Sequence, residues 1–324
     1  MKLAIGKQHI PLLATMVVFV LLYATASMMY DSFFSLRATT NLLADNAFLG
    51  IVAIGMTFVI LSGGIDLSVG SVLAFSTILI ATLIGEYNVH PLTAMAAALV
   101  VGSAFGMLMG FLIHRYKLPA FLVTLGGMFF ARGMAFVIRM ESLDISHPFY
   151  DLVLDDVRIG LPAKAQLPAT ALIFLLVLAA AIYLAHLTRF GRNVYAVGGS
   201  EYSAMVMGLP VAWTKVLVYT MSGFCSALGG VVFTFYTGSG NPSATVGLEL
   251  DAIASVVIGG TLLSGGKGYV AGTLLGILIY GTIRSALVFD GRLPASWLRI
   301  SIGVLLLVFI LLQRFLSRET ETSK

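Results

Sequence analysis

The chain has 324 residues, of which 59% are apolar and only 10% are charged, and its formal net charge is +4. A soluble domain keeps about a quarter of its residues charged, so this composition argues against a soluble enzyme and predicts an integral membrane protein. The small positive charge requires no nucleic-acid partner. A single cysteine, Cys225, excludes an intramolecular disulfide. No Cys/His cluster suggests a metal, and we expect no cofactor in this chain.

Apolar runs of the length needed to cross a bilayer, about 20 residues, recur along the whole chain. Ten segments qualify or nearly qualify: 10–30, 43–62, 67–85, 92–113, 119–139, 167–187, 214–236, 250–263, 269–289 and 297–313. The eighth is short. The predicted fold class is therefore all-α, a polytopic membrane protein with about ten transmembrane helices in one domain over residues 1–324.

The first apolar segment has two interpretations. Lys2 and Lys7 precede it, and the sequence from Ala24 to Ala26 resembles a signal-peptidase site. Its apolar run of about 20 residues is longer than the apolar core of a signal peptide, which favours an uncleaved signal-anchor helix.

Lysine and arginine are unevenly distributed between the two sets of predicted loops. Ten spans place both termini on one side, and the loops on that side hold most of the basic residues. By the positive-inside rule this side is the cytoplasm, so both termini are predicted to be cytoplasmic. The outer connection from Met140 to Gln166 is long and acidic.

The pattern Leu-Ser-Gly-Gly occurs twice, ending at Gly63-Gly64 and at Gly265-Gly266. Paired glycines adopt dihedral angles that other residues avoid, and a membrane helix breaks only where protein or water satisfies the freed backbone groups. Both pairs therefore predict helix breaks. They could be plain glycine turns in cytoplasmic hairpins, or parallel copies of an internal duplication whose broken helices flank a path. The candidate path and helix-break residues are Gly63, Gly64, Asp66, Ser68, Arg132, Asn241, Gly265 and Gly266.

Three polar residues of that set have structural alternatives. Asp66 could be a helix cap, and Arg132 could pair with a carboxylate, because a charge inside the bilayer must face protein or water. Asn241 follows the aromatic residues Phe233, Phe235 and Tyr236, which could be ordinary interface anchors or could contact a sugar at the outer mouth.

A nucleotide site is not predicted. The stretch "GTLLSGGKG" approaches a phosphate-binding loop, but Thr261 stands where that loop needs glycine, and Gly268 follows Lys267. Any ATP chemistry must lie on another subunit.

The longest inner connection, residues 188–213, contains a predicted short amphipathic helix. Ser200 is a good N-cap and Glu201 suits the positive end of the helix dipole. Tyr202, Met205 and Val206 form one apolar stripe, and Gly208 is a stop signal. This helix could rest on lipid headgroups, pack on its own bundle or fit a groove on a soluble partner.

Four stretches resemble the permease subunits of the ribose, galactose and arabinose class of bacterial ABC sugar importers. They are "GMTFVILSGGIDLSVGS" (55–71), "LPAFLVTLGGMFFARG" (118–133), "AVGGSEYSAMVMGL" (196–209) and "ELDAIASVVIGGTLLSGGKG" (249–268). The resemblance covers nearly the whole chain in order, and it extends to permeases for galactofuranose, in which two different permease chains pair. Ser200 departs from the asparagine that is common in the family.

The resemblance implies a transport subunit, not an enzyme, in the bacterial inner membrane. It would carry a monosaccharide into the cytoplasm with a second permease chain, a separate ABC ATPase and a periplasmic sugar-binding protein. The second permease chain could be a related, different chain or a second copy of this one. The residues implied in ATPase coupling are Gly198, Gly199, Ser200, Glu201, Tyr202, Met205, Val206 and Gly208. The alternative is an ion-coupled secondary transporter of a small polar solute, which would need titratable groups along its path.

Overall fold

A computed structural model describes residues 10–31, 33–155, 157–160, 162, 166–291, 294 and 296–321. Lys2 and Lys7 lie outside the described residues. The described chain is mainly helical. Its helices are α1 (Ile10–Met29), α2 (Leu36–Asp45), α3 (Ala47–Leu61), α4 (Val69–Gly85), α5 (Pro91–Arg115), α6 (Ala120–Ile138), α7 (Pro148–Asp155), α8 (Ala169–Leu187), α9 (Arg189–Gly199), α10 (Glu201–Val206), α11 (Val211–Thr237), α12 (Leu248–Ile258), α13 (Val270–Asp290) and α14 (Ser296–Glu321).

Two short antiparallel strand pairs accompany the helices. Strand β1 (Leu143–Asp144) pairs with β4 (Ser239–Gly240), and β2 (Arg158–Gly160) pairs with β3 (Gln166–Pro168). The first pair joins the long acidic connection to the end of α11, which holds that connection against the bundle.

Six described helices are long and apolar enough to span a membrane: α1, α5, α6, α8, α11 and α13. The pair α2 and α3 counts as a seventh span if its 57° bend is accepted, whereas α4 and the apolar part of α14 are shorter. The polytopic membrane fold is confirmed. The count of about ten spans and the cytoplasmic placement of the termini stay predictions.

The predicted second span, 43–62, contains a helix break that the sequence did not predict. The helix breaks at Asn46, whose φ of −110° and ψ of 8° end α2 and begin α3. Ser35 begins α2 by accepting a hydrogen bond from the Ala38 backbone N–H at 3.1 Å. All of α3 is buried, so this helix forms the centre of the bundle.

The predicted eighth segment, 250–263, which was already short, ends earlier in the structure, because α12 has only 11 residues and stops at Ile258. At 1.5 Å per residue it extends about 16 Å, roughly half the bilayer core. The chain before it follows α4 in a non-helical course. The Asn241 backbone N–H donates to Thr77 Oγ1 at 3.2 Å, and Thr245 Oγ1 donates to the Gly70 carbonyl at 2.9 Å. Residues 238–247 therefore run along α4 toward its N-terminus before α12 begins.

Small residues set the contact between α5 and α11. A Cβ atom on Gly110 would lie 2.9 Å from Val216 Cα, and one on Gly102 would lie 2.9 Å from the Gly223 carbonyl oxygen. Glycine at these positions lets the two backbones approach closely, as is typical of packed membrane helices.

Candidate functional site

Three glycine pairs from distant parts of the sequence meet at one end of the bundle. One pair follows α3, one ends α9 and one lies between α12 and α13. They are Gly63, Gly64, Gly198, Gly199, Gly265 and Gly266, called the glycine junction below. The Gly266 N–H donates to the Leu61 carbonyl at 2.9 Å. A Cβ atom on Gly265 would lie 2.8 Å from Gly63 Cα, and one on Gly266 would lie 2.7 Å from Gly199 Cα. The contact is thus backbone against backbone.

The junction requires glycine for two separate reasons. Gly63, Gly265 and Gly266 have φ angles of +82°, +86° and +72°, a region that residues with a Cβ atom rarely adopt. Gly198 has ordinary helical geometry, but a Cβ atom there would overlap the Leu61 carbonyl oxygen. The structure therefore brings both predicted helix breaks together with the predicted coupling segment.

Asp66 occupies the first break and is completely buried. Its Oδ1 accepts hydrogen bonds from the Ser68 backbone N–H at 2.9 Å and the Ser68 hydroxyl at 2.7 Å, and its Oδ2 accepts from the Ser222 hydroxyl at 2.7 Å. The carboxylate thus satisfies an N–H at the start of α4 and joins the break to α11. These bonds match the capping interpretation of Asp66, while the role of Asp66 and Ser68 in a path stays a prediction.

Arg132 and Asn241 lie in a second group, along the non-helical segment before α12. Arg132 Nη1 donates to the carbonyls of Pro242 and Ala244, both at 2.7 Å. Asn241 Oδ1 accepts from the Ser243 N–H at 2.8 Å. Both side chains bond backbone of this segment, whose N–H and C=O groups have no helix to pair them. Of the predicted path residues, these two are separate from the junction and connect to it through α4.

The predicted amphipathic helix exists as α10. Ser200 Oγ accepts from the Ser203 N–H at 3.2 Å, and Gly208 has a φ of +76°, so the predicted start and stop signals are confirmed. Tyr202, Met205 and Val206 are 73%, 60% and 69% exposed. Within the part of the chain that the structure describes, the apolar stripe therefore stays uncovered.

Two contacts hold α10 on the bundle while its stripe stays exposed. Ala204 is fully buried and packs with Val197 and Val211. Lys215 Nζ forms an ion pair with Glu201 at 2.7 Å. The helix α10 is thus held by the face that carries Ala204 and by its first residue, Glu201.

The sequence did not predict helix α9 (Arg189–Gly199), because residues 188–213 were interpreted as a long connection with one short helix. Thr188 Oγ1 caps it by accepting from the Gly191 N–H at 3.2 Å, and Val194 and Val197 are buried. The Tyr195 hydroxyl donates to the Gly268 carbonyl in the second break at 2.8 Å. Burial raises the pKa of Tyr195 to about 12, so this donor stays protonated at neutral pH. A threonine cap followed by apolar residues at 190, 194 and 197 is the signal that could have revealed α9.

Among the described residues, no group of three or more His, Cys, Asp or Glu side chains could hold a metal ion. The glycine junction joins the backbones of three segments, and the exposed helix α10 directly follows one of them. Such an arrangement can transmit movement of α10 to the two helix breaks.

Comparison with known proteins gives one family and several close relatives. Residues 38–311 match the family described as "Branched-chain amino acid transport system / permease component". The inner membrane ABC transporter permease protein YjfF of Escherichia coli is 50% identical over 311 residues, which cover 96% of this chain and 94% of the relative. The fructose import permease protein FruG of Bifidobacterium longum is 38% identical, covering 96% and 92%. The ribose import permease protein RbsC of Escherichia coli is 37% identical, covering 84% of each chain. No solved structure matches.

Proposed function

The chain belongs to this permease family as a multi-pass inner-membrane component of the sugar ABC importer type, and from that premise we propose that it carries a monosaccharide from the periplasm to the cytoplasm. The specific sugar that we propose is galactofuranose, because the sequence motifs of this chain resemble those of galactofuranose importer permeases. Relatives named for ribose and fructose import support the monosaccharide class.

The proposed transporter contains three further kinds of subunit. A separate ABC ATPase hydrolyses ATP, a related but different permease chain forms the path together with this one, and a periplasmic receptor delivers the sugar. This chain holds no cofactor in the proposal. The departure of Thr261 and Gly268 from a phosphate-binding loop supports an ATPase on another chain.

The observation that carries the proposal is the continuity between the exposed helix α10 and the glycine junction. Gly199 ends α9 and Ser200 begins α10. The backbone at Gly198 lies so close to the first and second breaks that a Cβ atom there would overlap the Leu61 carbonyl oxygen and lie 2.7 Å from the Gly266 nitrogen. An ATPase that displaced α10 would therefore move the chain that contacts both helix breaks. In this way ATP-driven closure on the cytoplasmic side would reach the helices α3, α4, α12 and α13.

The secondary-transporter alternative is not favoured. Asp66, the buried carboxylate of the first break, already accepts three hydrogen bonds from fixed donors. A carboxylate that binds and releases a coupling ion needs partners that it can exchange, whereas these donors belong to the helix start and to α11.

The double substitution Tyr202→Ala with Met205→Ala tests the coupling role. Both side chains are exposed on α10, so the chain should insert and fold as before. We expect the ATPase subunit to be lost from the purified complex and ATP-dependent sugar uptake to fall at least about tenfold, the equivalent of 1.4 kcal/mol of lost association. Co-purification and uptake into vesicles are the measurements.

The matched control changes the same two residue types at the opposite end of the bundle. Tyr87 and Met140 are also highly exposed, and they follow the ends of α4 and α6 that the contact between Glu86 and Arg139 brings together. Tyr87→Ala with Met140→Ala should leave the ATPase bound. Equal ATPase retention in both double variants would refute the role of α10.

A further inference from the structure

A polar and aromatic cavity lies at the end of the bundle opposite α10. Its volume is about 420 Å³, within the range of roughly 300–1,000 Å³ for small-ligand pockets. Tyr236 lines it, near the end of α11. Because α11 starts beside α10 and has 27 residues, Tyr236 lies nearly 40 Å along the helix axis from that start. We call this the outer cavity.

Aromatic rings from four helical or loop segments line part of the outer cavity. Tyr23, Phe33, Tyr236 and Phe289 contribute them. Tyr23 and Phe33 have ring centroids 5.5 Å apart, as do Phe33 and Phe289. Aromatic faces carry negative potential, which suits the weakly positive C–H groups on the flat face of a sugar ring.

Polar groups that donate and accept hydrogen bonds line the rest. Arg37, Asn41, Asp45, Asn46 and Arg284 all line the cavity. Asp45 interacts electrostatically with Arg284, so the negative charge of Asp45 offsets the positive charge of Arg284. A hydroxyl group both donates and accepts. Two amides, one carboxylate and the two guanidinium groups of Arg37 and Arg284 offer partners of both kinds, and one positive charge in the lining stays uncompensated.

One buried group in the wall lacks a partner. The Asn46 side chain is 1% exposed, and its Oδ1 makes no hydrogen bond with the described residues. Its Nδ2 donates to the Leu42 carbonyl at 2.8 Å. An unpaired buried carbonyl is costly, and such groups in native proteins commonly mark a water or ligand position. Asn46 is also the hinge between α2 and α3, so a ligand there would contact the 57° bend.

We propose that the outer cavity binds a neutral monosaccharide between its release from the receptor and its entry into the path. This proposal rests on the proposed function for the source of the sugar. The site is distinct from the glycine junction, and it places the first contact with sugar on α2, the α2–α3 bend and the ends of α11 and α13.

Cysteine protection tests the site, because the chain's single native cysteine, Cys225, is buried. Asn41→Cys in the full chain places a reactive thiol in the exposed part of the wall, and Tyr236→Cys places one on another wall. A membrane-impermeant maleimide labels both in membrane vesicles. The probes are d-ribose, d-fructose and methyl d-galactofuranoside, each at millimolar concentration, with d-glucuronate as the charged comparison. Tyr87→Cys is the control outside the cavity.

We expect one or more of the neutral sugars to slow labelling of both cavity thiols about tenfold, as for a ligand present at about ten times its Kd. Tyr87→Cys should react at an unchanged rate, and Asp45→Asn should weaken the protection. The proposal is overturned if no neutral sugar protects either thiol, if d-glucuronate alone protects, or if Tyr87→Cys is protected equally.

ATP-dependent uptake in the same vesicles separates this proposal from the proposed function. Uptake without protection of either cavity thiol would overturn the cavity site and leave the transport function intact. Protection without ATP-dependent uptake would support the site and overturn the transport function.

Discussion

The two Leu-Ser-Gly-Gly breaks share a sequence pattern but are stabilised by different means. The break between α3 and α4 has one glycine with positive φ, Gly63, and is held by the buried carboxylate of Asp66. The break between α12 and α13 has four such glycines, Gly260, Gly265, Gly266 and Gly268. It is held by backbone bonds, such as that from Leu262 N to the Lys267 carbonyl at 2.9 Å.

The difference indicates that the two breaks are held in place with unequal firmness. A side-chain carboxylate with three donors fixes the first break relative to α4 and α11. The second break depends on neighbours in the glycine junction, because Leu61 accepts from Gly266 and Tyr195 donates to Gly268. We therefore expect the second break to respond more readily when α9 and α10 move.

Among the substitutions that test this comparison, Gly198→Ala should lower the stability of the protein most. The added methyl group would overlap the Leu61 carbonyl oxygen, which is backbone and cannot rotate away. We expect a loss of about 3 kcal/mol in stability, at the upper end for overpacking, together with loss of uptake. Thermal unfolding of the purified complex measures the first effect.

Gly199→Ala is the matched control for that substitution. No heavy atom lies within 4 Å of a Cβ atom built there, so its stability should change by less than about 0.5 kcal/mol. Similar unfolding midpoints for the two variants would show that the backbone contact at Gly198 is not a constraint.

Asp66→Ala should have the next largest effect, because it removes the acceptor of three hydrogen bonds in the first break. Leaving Ser222 and the Ser68 N–H unpaired should cost about 2 kcal/mol of stability. Asp66→Asn keeps one acceptor oxygen and should recover part of the loss while ATP-driven uptake continues after the proton gradient is collapsed. Uptake that disappears in the Asn variant with normal stability would support ion coupling instead.

Tyr195→Phe should have the smallest effect, since it removes only the bond to Gly268 in the second break. We expect a loss of about 1 kcal/mol. Burial raises the folded-state pKa of Tyr195 to about 12, so the neutral hydroxyl is favoured in the folded protein. Its contribution should be constant from about pH 6 to pH 9 and should fall only as pH rises toward that pKa.

The control for this hydroxyl is Tyr202→Phe, because Tyr202 is exposed on α10. It should leave the unfolding midpoint unchanged. A stability difference between wild type and Tyr195→Phe that shrinks between pH 6 and pH 8 would contradict the assignment of a protonated donor.

Sequence patterns predicted local features well when the cause was local. The N-cap Ser200, the stop at Gly208 and the end of α3 before Gly63-Gly64 follow from backbone geometry that neighbouring residues determine. The α2–α3 bend, the non-helical segment before α12 and helix α9 were missed. Two of these depend on contacts from distant parts of the sequence, namely Thr77 for the non-helical segment that contains Asn241, and Gly268 for Tyr195 in α9. At the α2–α3 bend, an apolar run continues past the break and conceals it.

The sequence by itself determined that this is a polytopic membrane protein, that its helices break at two glycine pairs and that a short apolar-striped helix follows Ser200. Composition, φ preferences and capping act over a few residues, so one chain displays them directly. Only the tertiary structure decided that the two breaks and Gly198-Gly199 touch, that Arg132 bonds the carbonyls before α12 and that a cavity forms beside Asn46. Those features depend on which helices pack together, and packing joins residues up to about two hundred positions apart in the sequence.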